Sequence, residues 1–130
     1  MSSRPSLIAT LFEPPSTDGA ELTALPDSVD WLEVRADRVR DIDPEWLRNH
    51  FKGRLLYSLG TDDSLNRLER LQTAARFYDR VELEATSDLS DELLRLIPPE
   101  QRLLSWYGSA NDLPELERRF EQLSSVTAAV

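Results

Sequence analysis

The chain has no cysteine, and it has only one lysine and one histidine among its 130 residues. Without cysteine it can form neither disulfides nor thiolate metal sites. It also has only four glycines, and it contains neither the GxGxxG pattern nor a P-loop. These absences argue against the glycine-rich loops by which open α/β sheets usually hold nucleotides.

Basic side chains are scarce as well. Lysine and arginine total 15 against 24 acidic residues, which gives a formal net charge of −9. This balance argues against nucleic acid or an anionic membrane as a partner. No run approaches the roughly 18 apolar residues of a membrane span, and the amino terminus lacks the apolar core of a signal peptide. We therefore expect a cytoplasmic protein that does not bind membranes.

What the chain does contain is a regular alternation of strand-like and helix-like segments. Apolar residues make up 40% of the sequence, enough for the core of one domain spanning residues 1–130. The predicted strands are Leu7–Phe12, Trp31–Ala36, Arg54–Leu59, Arg80–Ala85 and Arg102–Tyr107. The predicted helices are approximately Gly19–Leu25, Pro44–Phe51, Ser64–Phe77, Asp91–Ile97 and Leu113–Leu123. This alternation predicts an α/β fold of five βα units with parallel strands.

Two architectures are compatible with five such units: an open flavodoxin-like sheet, or a partial TIM (β/α)8 barrel. Three strands carry polar residues on one face near their carboxyl ends, as the mouth of a barrel does. These residues are Glu33 and Arg35, Glu82 and Glu84, and Ser105 and Tyr107. The pattern favours the barrel by a small margin, and the barrel predicts the sequential strand order 1-2-3-4-5.

The segment Asp30–Asp37 is the most informative part of the sequence. Glu33 and Arg35 lie two residues apart, so on a strand their side chains share one face. A buried acid and base in this position indicate either a site for a polar ligand or an ion pair within the sheet.

The order of these motifs resembles type I 3-dehydroquinate dehydratase, a barrel lyase of the shikimate pathway of aromatic amino-acid biosynthesis. Leu32–Asp37 is similar to the second-strand E-x-R-x-D motif of that family. The weaker matches are Leu7–Leu11 for the first strand, Leu55–Leu59 for the third, Asp79–Glu84 for the fourth and Leu103–Tyr107 for the fifth. The matches cover most of this chain but only the first part of the family's barrel.

The resemblance implies a role in converting 3-dehydroquinate to 3-dehydroshikimate, without a cofactor or metal. In the family a lysine on the sixth strand forms a Schiff base and a histidine on the fifth strand transfers protons. Residue by residue, the implied substrate-binding residues here are Glu33, Arg35 and Glu84. Some members are fused to shikimate dehydrogenase, which is therefore a candidate partner domain.

The catalytic positions of the family are not matched. Tyr107 stands at the histidine position, and Gly60 and Ser64 stand at the arginine and glutamate positions after the third strand. Lys52 and His50 precede the third strand, at the end opposite the expected active face. The chain ends about where the sixth strand and its lysine should begin. We therefore expect a truncated dehydratase-like domain, inactive as this chain, with no catalytic residue.

The alternative is a non-catalytic module that binds a small molecule or serves in assembly. In either case the first and fifth strands would leave apolar edges unpaired, a pattern that invites association between copies of the chain. We therefore expect a homo-oligomer.

Overall fold

The fold is built on one sheet of five parallel strands. A computed structural model describes residues 4–61, 66–107 and 109–124. The strands are β1 (Ile8–Leu11), β2 (Trp31–Arg35), β3 (Arg54–Ser58), β4 (Arg80–Glu84) and β5 (Arg102–Ser105). They lie in the sequential order β1-β2-β3-β4-β5, and every neighbouring pair is parallel. The α/β class and the predicted strand order are therefore confirmed, and strand 1 does not lie between strands 2 and 3 as it would in a flavodoxin-like sheet.

Helices follow the strands. They are α1 (Ala20–Thr23), α2 (Ala36–Val39), α3 (Pro44–His50), α4 (Arg67–Phe77), α5 (Asp91–Leu96) and α6 (Leu113–Ser124), with a 3₁₀ turn at Pro99–Gln101. The short helix α2, directly after β2, was not predicted. The predicted start of α4 at Ser64 lies outside the described residues.

Two helices begin at residues whose side chains cap them. The Asp43 carboxylate accepts a hydrogen bond from the backbone N–H of Glu45 at 3.0 Å, and Pro44 occupies the first helical position. Ser90 caps α5 by accepting from the backbone N–H of Leu93 at 3.2 Å.

One face of the sheet forms the core with the helices. Side chains of this face, such as Val34, Leu55 and Leu83, belong to one buried cluster together with residues of α1 to α5. Because side chains alternate along a strand, Glu33, Arg35 and their neighbours point to the opposite face. The buried apolar residues of α1 to α5 all pack on the first face, so these helices leave the second one uncovered.

The last helix, α6, contributes no buried residue. Its apolar side chains are exposed: Leu113 by 64%, Leu116 by 47% and Phe120 by 71%. Within the described ranges, no helix is long and apolar enough to cross a membrane.

Candidate functional site

The uncovered face collects polar side chains at the carboxyl ends of the strands. The register places Glu33 beside Thr10 of β1, Arg35 beside Ser58 of β3, and Glu84 beside Ser105 of β5. The three substrate-binding residues suggested by the sequence therefore lie on one face and at one end of the sheet. We refer to this group, with Thr10, Ser58, Glu82 and Tyr107, as the carboxyl-end site.

Arg35 is held in one orientation by Asp37, the acid of the E-x-R-x-D motif. Nε and Nη2 of Arg35 donate to the two carboxylate oxygens of Asp37 at 2.9 and 2.7 Å. The helical turn α2, which begins at Ala36, brings Asp37 back beside the arginine. The hydrogen bonds from Arg35 to Asp37 raise the pKa of the guanidinium, so the site carries a fixed positive charge.

Gly60 makes room for this guanidinium. The residue has a φ of +58°, and a Cβ built there would lie 2.7 Å from Nη2 of Arg35. A side chain at this position would therefore be strained by the backbone and would also displace the arginine.

Glu33 and Arg35 are not bonded to each other. Glu33 instead accepts a hydrogen bond from the Thr10 hydroxyl at 2.8 Å, while Arg35 bonds Asp37. Among the residues that the structure describes, the two side chains form no ion pair, so the interpretation of a structural pair within the sheet is wrong. Glu33 keeps one carboxylate oxygen for a ligand on the uncovered face.

Glu82 is bound by two hydroxyl groups. Ser58 donates to one carboxylate oxygen at 2.8 Å, and the Tyr107 hydroxyl donates to the other at 2.9 Å. Tyr107 is 51% exposed, and its hydroxyl lies in the site. Burial and the charge of Glu82 raise the pKa of Tyr107 to about 12. The phenol therefore keeps its proton near neutral pH and cannot replace a histidine as a base.

Glu84 is buried and turned toward its own loop. One of its carboxylate oxygens accepts from the Thr86 N–H at 3.0 Å, from the Ser87 hydroxyl at 3.1 Å, and from the Thr86 hydroxyl. Burial opposes ionisation of Glu84, but these hydrogen bonds outweigh it and hold the pKa below its usual range. Glu84 is therefore a carboxylate at the edge of the site, and most of its hydrogen bonds come from its own loop.

A buried ion pair between Arg67 and Asp88 connects the loops that flank the carboxyl-end site. Arg67 donates to both carboxylate oxygens of Asp88 at 2.7 and 2.6 Å, and it also donates to the backbone oxygen of Gly60 at 3.0 Å. Asp88 in turn accepts from the backbone N–H of Glu84 at 2.6 Å. The pair thus ties the loop after β3 to the end of β4.

Sequence reasoning missed this pair. Arg67 is only 8% exposed and Asp88 is 2% exposed, although charged residues most often lie at the surface. Their separation of 21 residues follows no helical or strand spacing. The local sequence carries no signal that would have identified them as partners.

Lys52 and His50 lie at the other end of the strands, as predicted. They line a cavity of about 730 Å³ beside the start of β3. Nδ1 of His50 lies 2.8 Å from the backbone oxygen of Trp46. The only lysine of the chain is therefore remote from the carboxyl-end site.

The carboxyl-end site combines three carboxylates, one oriented guanidinium and three hydroxyls. Carboxylates accept hydrogen bonds from ligand hydroxyls, and a guanidinium donates to a carbonyl or carboxylate. Within the described ranges, no group of three or more acidic or histidine side chains is arranged to hold a metal ion. The arrangement suits recognition of a small, hydroxylated ligand.

Comparison with family models, with curated proteins and with solved structures gives no match for this chain.

Proposed function

We propose that this chain is a partial (β/α)8 barrel, similar to the first part of type I 3-dehydroquinate dehydratase, that binds a small hydroxylated carboxylate without dehydrating it. The sequential order of five parallel strands supports this proposal, because a barrel has the same order. The single face covered by helices supports it too, since an open doubly wound sheet is covered on both faces. On this proposal the ligand is 3-dehydroquinate or an analogue, and the protein works in the cytoplasm.

The observation that carries the proposal is the Arg35–Asp37 pair beside Glu33. One carboxylate accepts hydrogen bonds from both Nε and Nη2 of the guanidinium, so the guanidinium is oriented before a ligand binds. This orientation lowers the entropy cost of binding. Its remaining N–H groups can bind the ligand carboxylate while Glu33 and Glu84 accept from ligand hydroxyls.

The same site lacks the groups that dehydration through a Schiff base would need. The chain's only lysine, Lys52, lies at the amino end of the sheet. The Tyr107 hydroxyl donates its proton in a hydrogen bond to Glu82. The residue at the position of the family's histidine therefore cannot act as a base. We therefore expect binding without turnover.

Two measurements on the full chain test these statements. Calorimetric titration with 3-dehydroquinate should show saturable binding that Glu33→Gln and Arg35→Gln each weaken at least tenfold. Arg76→Gln, which changes an exposed arginine on α4, should bind as the unchanged protein does. The absence of saturable binding would reject the ligand class.

Borohydride reduction in the presence of 3-dehydroquinate tests the second statement. The mass of the protein should stay unchanged, because no lysine reaches the ligand. A mass increase that disappears in Lys52→Ala would show instead that the protein is a Schiff-base enzyme.

A second candidate function, self-association, is favoured by exposed apolar side chains. Leu7 and Ile8 at the edge strand β1 are 47% and 51% exposed, and α6 exposes Leu116 and Phe120. An unpaired strand edge beside apolar surface invites a second copy. Sedimentation at micromolar concentration should detect a homo-oligomer that Phe120→Ser weakens, whereas a monomer would exclude this function.

A further inference from the structure

Two arginines converge on one buried indole at the amino end of the uncovered face. Trp31, the first residue of β2, is only 8% exposed. The Cζ atoms of Arg54 and Arg80 lie 4.4 and 5.1 Å from the centroid of its ring. The register places Arg54 directly beside Trp31 and Arg80 beside Leu56, so all of these side chains share the uncovered face.

Among the residues that the structure describes, neither arginine has an acidic partner. The ion pairs within the described ranges involve Arg4, Arg35, Arg48, Arg67 and Arg70. Arg54 and Arg80 belong to none of them. The Nε of Arg80 is also buried without a hydrogen-bond acceptor in this part of the chain. Stacking on Trp31 explains where the two side chains lie, but it provides no acceptor for the buried Nε of Arg80.

We propose that Arg54 and Arg80, stacked on Trp31, form a binding site for the phosphate or carboxylate group of a small molecule. Guanidinium groups present pairs of N–H donors that match the oxygens of either group. An anion bound by both arginines would pair with both positive charges. The net charge of −9 disfavours a polyanionic macromolecule, which leaves a small ligand as the partner.

This site is separate from the carboxyl-end site. Four residue steps along β2 separate Trp31 from Arg35, which is about 13 Å at the rise of a strand. One small ligand cannot bind both arginine groups, so this inference does not depend on the proposed function.

A cavity adjoins Arg54 but is lined by neither Trp31 nor Arg80. Arg54 also lines the cavity of about 730 Å³ that contains Lys52, and this lysine adds a further positive charge. Of the two acids on the wall, Asp30 is already bonded by Arg4 at 2.9 Å. Asp27 is the other.

Nuclear magnetic resonance of the isotopically labelled full chain tests the site. Inorganic phosphate and succinate are titrated separately at constant ionic strength, with chloride as the balancing anion. We expect saturable shifts of the Nε–H signals of Arg54 and Arg80 and of the Trp31 indole N–H. The tighter of the two ligands identifies the preferred anionic group.

Matched variants decide whether the arginines bind the anion. Arg54→Gln and Arg80→Gln should each weaken binding at least tenfold, and Arg76→Gln should leave it unchanged. Arg54→Lys keeps the charge and most of the packing stem, so it folds even if the glutamine variants do not, and it should weaken binding less. Chemical shifts that grow linearly with the concentration of both anions, without saturation, would overturn the proposal. Unchanged anion affinity in both the lysine and the glutamine variants would also overturn it.

Discussion

The two ends of the uncovered face differ in how their charges are compensated. At the carboxyl end, Arg35 is bonded by Asp37, and Glu82 is bonded by two hydroxyls. At the amino end, Arg54 and Arg80 both lie against the ring of Trp31, and neither has an ion pair within the described ranges. One end is arranged before any ligand binds, whereas the other holds charges that a ligand would compensate. The comparison predicts that substitutions at the carboxyl end cost stability and those at the amino end mainly cost anion binding.

The largest effect should come from the buried pair beneath the carboxyl-end site. Asp88→Asn removes the charge that compensates Arg67, so the free energy of unfolding should fall by about 3–5 kcal/mol. Chemical denaturation measures the change. Asp91→Asn on the exposed first turn of α5 should cost less than about 1 kcal/mol. Equal losses in the two variants would contradict the supporting role of the buried pair.

Gly60→Ala should destabilise the protein by about 1–2 kcal/mol, because an alanine at positive φ is strained. It should also displace Arg35, whose Nη2 would lie 2.7 Å from the new Cβ. Denaturation of Gly60→Ala with and without Arg35→Ala separates the two causes. If the loss is the same in both backgrounds, Gly60 is needed only for its backbone conformation.

Glu84 should make stability depend on pH in the acid range. Its pKa is lowered in the folded protein, so its contribution is present above the unfolded pKa of about 4.3. That contribution is lost as the pH falls through the folded value. Glu84→Gln should remove roughly 1 kcal/mol at pH 7 and less at pH 3. The exposed control Glu92→Gln should show no such difference between pH 7 and pH 3.

The smallest effect should come from Tyr107, which is half exposed. Its folded pKa is raised to about 12, so its contribution to stability is present below the unfolded pKa of about 10 and is lost as the pH rises through about 12. Ultraviolet titration curves are recorded for the unchanged protein and for Tyr107→Phe. The difference between the two curves should show one phenol ionising near pH 12. A difference titration centred near pH 10 would show that Glu82 does not hold the hydroxyl.

The sequence was sufficient to predict the sheet, because apolar runs and helical spacing repeat locally along the chain. Strand periodicity also placed Glu33 and Arg35 on one face. Strand periodicity could not show that Glu33 bonds Thr10, because Thr10 lies on another strand. It also could not show that Arg35 bonds Asp37, because no sequence pattern predicted the helical turn α2 that carries Asp37. The contacts of Tyr107 with Glu82 and of Arg67 with Asp88 depend on the paths of loops, which local patterns do not determine.

The most direct test of the comparison is one set of arginine Nε–H spectra recorded with two ligands. The account predicts that 3-dehydroquinate shifts the signal of Arg35 and leaves Arg80 in place, while inorganic phosphate does the reverse. The Arg35 response should disappear in Glu33→Gln. A spectrum in which 3-dehydroquinate leaves Arg35 unmoved, or moves both arginines together, would contradict the assignment of the carboxyl end as the ligand site.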